Sequence, residues 1–174
     1  MTAEAIHARS VAGNASAQET LQLTSFFFKP VPPLLTALVE AAKRGVQVDV
    51  YHSHPDALPA TDLAWIASAV NYERMLDAGI RVYENRHGEH SKIVLADESQ
   101  VAFGSYNFED AAHDRLAEAM IATSDARAID PAVSIFKDLR RDPDNRPVTA
   151  ESLRALPRRL RRRRALFGRF KRWM

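Results

Sequence analysis

Residues 21–52 restrict the fold more than any other stretch of this chain. "LQLTSFFF" (Leu21–Phe28) is an apolar, β-prone run closed by "KPVPP", and it reads as a buried strand. "PPLLTALVEAAKRG" follows, with Pro32-Pro33 at a helix start, apolar side chains at 34, 35, 38, 39 and 42, and Gly45 as the stop. "VQVDVYHS" then alternates Val46, Val48 and Val50, the period of a strand. A strand, a helix and a strand in that order form a β-α-β unit, which requires parallel pairing and a right-handed crossover.

The remainder extends this unit into an α/β fold: a mixed β-sheet flanked by helices. "HPDALPAT" is a proline-punctuated loop. Residues 62–79 form a helix, with Thr61 or Asp62 as cap and Gly79 as its end. "IRVYENR" is a strand, residues 89–107 a hairpin, "EAMIATS" (118–124) another strand, and "DARAIDPAVSIFKDLRR" a closing helix interrupted near Pro131. The expected organisation is a lead-in at 1–20, one domain at 21–141, and a turn-rich linker with a basic helical tail at 142–174. The 174 residues contain no cysteine, which removes disulfides and thiolate metal sites. The N-terminus lacks the basic start and apolar run of a signal peptide, and no stretch approaches the roughly 18 apolar residues of a membrane span.

The hairpin "EHSKIVLADESQVAFGSYNFE" carries polar residues that a core does not need. Side chains alternate along a strand, so His90 and Lys92 share a face while Ser91 and Ile93 take the other. Asp97-Glu98-Ser99 makes the turn, and "QVAFGS" returns antiparallel, bringing Gly104, Ser105 and Asn107 back towards His90 and Lys92. Gly104 permits close backbone approach, as phosphate sites often require. A nucleophile or base, a cation, a hydroxyl and an amide around one concavity suit an oxyanion with three equatorial oxygens.

The pattern His90-x-Lys92, Asp97, Gly104-Ser105-x-Asn107 resembles the HKD motif of the phospholipase D superfamily, without a gap or substitution. The likeness continues through "FFFKP", "ALVEAAKRGVQVDV" and "YERMLDAGIRVYE" and covers about residues 21–140. Within the superfamily it is most similar to the second, C-terminal repeat of the cardiolipin synthase type. The resemblance implies that His90 attacks the phosphodiester phosphorus and forms a phosphohistidine. A histidine from a second HKD motif would protonate the leaving alcohol and then activate water or an acceptor alcohol. Lys92 and Asn107 would hold the non-bridging oxygens, Ser105 would support that pocket or the histidine, and Glu118 would accept a hydrogen bond from the other imidazole nitrogen. Asp97, carried with the motif, would order the hairpin or pair with a partner motif. Neither a metal nor a cofactor is required.

This chain holds one such motif, because His52, His54, His87 and His113 lack the residues that must follow. A homodimer, or a second HKD-containing half, is therefore expected in the active form. His52, His54 and Asp56 read as a solvated strand-end loop, with a substrate entrance as the alternative. Phe26–Phe28 read as core with one ring flanking the pocket, Trp65 and Tyr72 as packing, and His113 and Arg115 as solvated or structural, with substrate contact as the alternative.

Charge points to the partner. Residues 158–174 hold nine Lys/Arg and no acid, leaving 15 of the 24 Lys/Arg against all 22 acids in the first 157 residues. An acidic body with a basic tail bearing Leu160, Phe167, Phe170 and Trp173 suggests a lipid surface, with nucleic acid as the alternative polyanion. A phospholipid substrate and a cytoplasmic or peripheral-membrane location follow. A nuclease of the same superfamily is the runner-up, and a silent lipid- or nucleic-acid-binding module the third reading.

Overall fold

The structure, a computed structural model, describes residues 17–57, 62–109 and 117–171. The β-α-β unit is present as β1 (Thr20–Ser25), α1 (Pro32–Lys43) and β2 (Gln47–Ser53), with β1 and β2 parallel in the register Leu21↔Val48 and Leu23↔Val50. Next come α2 (Asp62–Ala69), α3 (Tyr72–Asp77), β3 (Arg81–Asn85), β4 (Ile93–Ala96), β5 (Gln100–Gly104) and β6 (Met120–Thr123). The chain continues with α4 (Ala126–Arg141), β7 (Asn145–Pro147), α5 (Ala150–Ala155) and α6 (Arg158–Lys171). Seven strands form one sheet in the order β6-β5-β4-β1-β2-β3-β7; β1, β2 and β3 are parallel neighbours and the other pairs antiparallel.

Strand alternation divides the core into two layers. Leu21, Leu23, Val48, Val50, Val82 and Val94 face α1, α2 and α3, while Tyr51, Ile93, Leu95 and Val101 face Ile129, Ala132 and Phe136 of α4. Each fully buried aliphatic side chain contributes about 1.5–3 kcal/mol, which holds both helical layers on the sheet.

Four sequence expectations change. The helix foreseen over 62–79 is two, broken at Val70-Asn71. The closing helix runs through Pro131, whose missing N–H costs one bond that packing of Ile129, Ala132 and Phe136 offsets. Residues 142–157 are not merely a linker. β7 pairs with β3 through Tyr83↔Pro147 and Asn85↔Asn145, and Val148 and Leu153 enter the core. Finally, the lead-in joins the domain at Ala17, a buried residue, and the part of it expected before Ala17 lies outside the described residues.

His52 is buried rather than solvated. Its Nε2 lies 2.7 Å from the Tyr72 hydroxyl, which donates to Glu84 Oε1 at 2.6 Å; Trp65 Nε1 donates to the same oxygen at 2.5 Å. Trp65 and Tyr72 thus satisfy a buried carboxylate as well as pack. Burial holds the His52 pKa below its ordinary value, opposed by the nearby Glu84 charge. Tyr72→Phe removes the shared hydroxyl and leaves two buried groups short of a partner. Its expected cost is about 2 kcal/mol, read as a lower urea midpoint at unchanged slope.

Asp97 and Glu98 make the β4–β5 turn with positive φ of 51° and 47°. The Asp97 carboxylate accepts from the backbone N–H groups of Gln18, Glu19 and Thr20, each at 2.9 Å. Burial alone would raise its pKa, but these three bonds outweigh that and hold it below the ordinary value. A depressed carboxyl stabilises the fold above its unfolded pKa of about 4 and loses that contribution as pH falls through the folded value. Wild type should therefore lose stability below about pH 4 more steeply than Asp97→Ala, measured by denaturation at stepped pH.

Candidate active site

His90–Lys92 enters β4 as extended chain, and Gly104 N–H donates to Lys92 O at 3.2 Å, continuing the β4–β5 pairing. Ser91 faces away from its neighbours: its hydroxyl donates to Glu89 Oε1 at 2.6 Å and sits 2.8 Å from Thr24 Oγ1, which accepts from Ile93 N–H at 2.9 Å. These contacts tie the segment to β1 and fix which way His90 and Lys92 point.

His90, Lys92, Gly104, Ser105, Asn107 and Glu118 line one cavity of about 790 Å³. Lys92 Nζ donates to His90 O at 2.6 Å and lies 3.4 Å from His90 Nδ1. An ammonium has only donors, so this contact leaves the lone pair on Nδ1 and the imidazole proton on Nε2. The Phe26 ring stands 5.0 Å from the His90 ring and 6.0 Å from Lys92 Nζ, so Phe26 is the aromatic residue that flanks the site. Lys92 is 7% exposed; burial lowers its pKa, while Glu118, Glu89 and Glu109 act to raise it. The result is a desolvated cation at the cavity wall, a group that gains much from an entering anion.

Asn107 Oδ1 is buried with no hydrogen-bond partner. An orphaned amide oxygen is costly, and an amide's orientation is set by its partners, so a ligand that engages Asn107 recovers that cost. The next residue secures the loop: Phe108 O accepts from Lys29 N–H at 2.8 Å, and its ring lies 6.2 Å from Phe28.

A family model described as cardiolipin synthase, PLD-like domain, matches residues 14–140. The chain belongs to the phospholipase D superfamily. Cardiolipin synthase A of Buchnera aphidicola subsp. Baizongia pistaciae is 33% identical over 111 residues, 62% of this chain and 22% of that protein. Cardiolipin synthase 2 of Bacillus cereus is 31% identical over 126 residues, 71% and 24% respectively. The chain thus spans under a quarter of the curated relatives it matches. Among solved structures, the phospholipase D family member Nuc from Salmonella typhimurium superposes with a TM-score of 0.67 at 23% identity, covering 83% of this chain and 91% of that one. Phosphatidylserine synthase of Haemophilus influenzae gives 0.69 at 15% identity, covering 95% and 43%.

In this phospholipase D-like chain Asp97 takes one of the two roles expected of it, ordering the hairpin, while Glu118 sits differently from expectation. Asp97 lies at the opposite end of β4 from His90, outside the cavity, with its carboxylate occupied by the lead-in backbone. Glu118 is in the cavity, but its carboxylate accepts from the Ser105 hydroxyl, not the imidazole; Ser105 Oγ in turn accepts from Ala119 N–H at 3.1 Å. Gly104 lines the cavity and also admits a second close approach: an added Cβ would stand 2.0 Å from Ala119 O, so the neighbouring strand itself requires glycine here.

The motif gave no sign of the far wall. Ile93, Val101 and Phe103 meet Pro131, Ala132 and Ile135 of α4 there, an apolar surface continuous with the polar end. Arg127 also reaches it but is paired with Asp125 at 2.7 Å. The amphipathic period of residues 126–141 was the available signal. His54 is 3.4 Å from Asp56 and takes no part in the cavity. His113 and Arg115 lie outside the described residues, as do the side chain of Phe170 and the whole of Trp173.

Proposed function

We propose that this chain carries one half of a phospholipase D-type active site that hydrolyses or transfers the phosphodiester of a phospholipid. The observation that carries the reading is the shape of the cavity: a cationic, hydrogen-bonding end at His90, Lys92 and Asn107 runs without a break into an apolar trough. A phosphodiester bearing a hydrocarbon group matches both ends.

In this reading a lone pair of His90 attacks phosphorus, the N–P bond forms, and the P–O bond to the leaving alcohol breaks. A second histidine gives its proton to the leaving oxygen, then takes one from water or an acceptor alcohol, whose oxygen displaces His90. Lys92 and Asn107 hold the non-bridging oxygens. Attack through Nε2 requires the ring to turn from Lys92 so that Nδ1–H meets Glu118, and His90 is exposed enough to do so. Ser105 keeps the Glu118 carboxylate in place until then.

The second histidine comes from a second copy of the chain or from a further motif of a longer protein. Phe103 and Ile121, register partners on the β5–β6 edge, are exposed beside the cavity and offer such a copy an apolar surface. No helix among the described residues is long and apolar enough to cross a membrane, so this reading has the site meet lipid from the aqueous side.

A second reading, cleavage of nucleic acid, draws on the cationic, hydrogen-bonding end alone, because His90, Lys92 and Asn107 would grip the phosphodiester of a polynucleotide in the same way. Incubation with phosphatidylglycerol vesicles and, separately, with an oligonucleotide separates the two. Headgroup release with an acid-labile phosphoryl label on His90 supports the lipid reading; oligonucleotide cleavage alone sinks it.

A further inference from the structure

The basic C-terminal segment is a docked helix, not a loose tail. Leu160 and Phe167 of α6 pack against the core, and Arg164 is 16% exposed, donating to Ala69 O at 3.3 Å and to Glu73 Oε1 at 2.6 Å. These three anchors share one side of the helix. At 100° per residue the opposite side presents Arg158, Arg162, Ala165 and Leu166, with Arg159 and Arg161 on its flanks. Among the described residues no carboxylate pairs with Arg158, Arg159, Arg161 or Arg162. Arg158, Arg161 and Arg162 surround a shallow notch closed by Ala165, and Leu166 is 57% exposed next to it.

Like charges at i, i+3 and i+4 repel, so holding four unneutralised guanidinium groups on one rigid face is unfavourable until an anionic partner arrives. Arginine forks match phosphate oxygens in pairs. An exposed leucine beside such a face adds nothing to a contact with polynucleotide phosphates, but it gains by entering the hydrocarbon boundary of a bilayer. We infer that the outward face of α6 docks this domain on anionic phospholipid, with the Arg158–Arg161–Arg162 notch taking a headgroup phosphate and Leu166 inserted beside it. This docking goes beyond the reaction at His90 and does not depend on it.

The test is co-sedimentation of the full chain with phosphatidylcholine vesicles, with and without phosphatidylglycerol. Wild type binds only the anionic vesicles, and binding weakens as salt rises. Each surface arginine is worth about fivefold in partition, so R158Q/R161Q/R162Q lowers it by roughly a hundredfold and flattens the salt dependence. Leu166→Gln weakens binding but leaves the salt slope intact. All variants melt as wild type does, because the substituted side chains are exposed. His90→Ala binds vesicles as wild type does, which separates failure of this inference from failure of the catalytic one. Undiminished binding by the triple variant, equal binding to phosphatidylcholine alone, or arginine-dependent binding to an oligonucleotide in place of vesicles overturns the inference.

Discussion

Replacement of His90 by alanine is expected to abolish turnover, by a factor on the order of 10⁵, while the protein melts within a few degrees of wild type. The imidazole is exposed, and its contacts include a tilted ring pair with Phe26 and the long approach of Lys92 Nζ, so little packing is lost. Chemically the loss is complete, because no other histidine of the described residues lines the cavity to form the N–P bond. The measurement is headgroup release from phosphatidylglycerol vesicles alongside a thermal melt. Retained turnover with an intact fold would falsify the phosphohistidine route and shift attention to direct attack by water.

Gly104→Ala should act in the opposite way, through the fold. The new methyl would stand 2.0 Å from Ala119 O and 2.8 Å from Met120 Cα, both backbone atoms of the segment entering β6. A flexible side chain could swing aside; backbone in a ladder cannot. β6 must part from β5 at the Gly104↔Met120 pair, or the ladder must bend. The cost is about 3 kcal/mol or more, which for a chain of this size lowers the melting temperature by roughly 6–12 °C. Glu118 leads directly into that pair, so turnover should fall as well, below the melting temperature of the variant. A melt shifted by less than about 2 °C would mean that β6 yields freely and that the glycine is there for a ligand after all.

The parallel unit, the motif hairpin and the convergence of His90, Lys92, Ser105 and Asn107 on one cavity were legible because each rests on local rules: strand alternation, a helix stop, a short turn; Glu118 was placed there by the family resemblance alone. What was not legible depends on tertiary partners. Nothing in "YHSHPD" says that His52 meets Tyr72 and that Glu84 is waiting behind it, because the three come from β2, α3 and β3. "DPDNRPVT" reads as linker by composition, yet the exposed edge of β3 recruits Asn145–Pro147 as a last strand. The same holds for Glu118. Motif likeness pairs it with an imidazole, but Ser105 is the nearer donor across the β5–β6 ladder and holds it.

The Asp97 clamp also governs where this domain can be cut. A shortened version beginning at Leu21, the natural choice from the hydrophobic pattern, would delete all three amides that the carboxylate binds and strip the turn of its counterweight. Starting a residue or two before Ala17 keeps the knot tied. The aspartate that names the motif therefore belongs to its carpentry, and anyone grafting this hairpin onto another scaffold must transplant Gln18–Thr20 along with it.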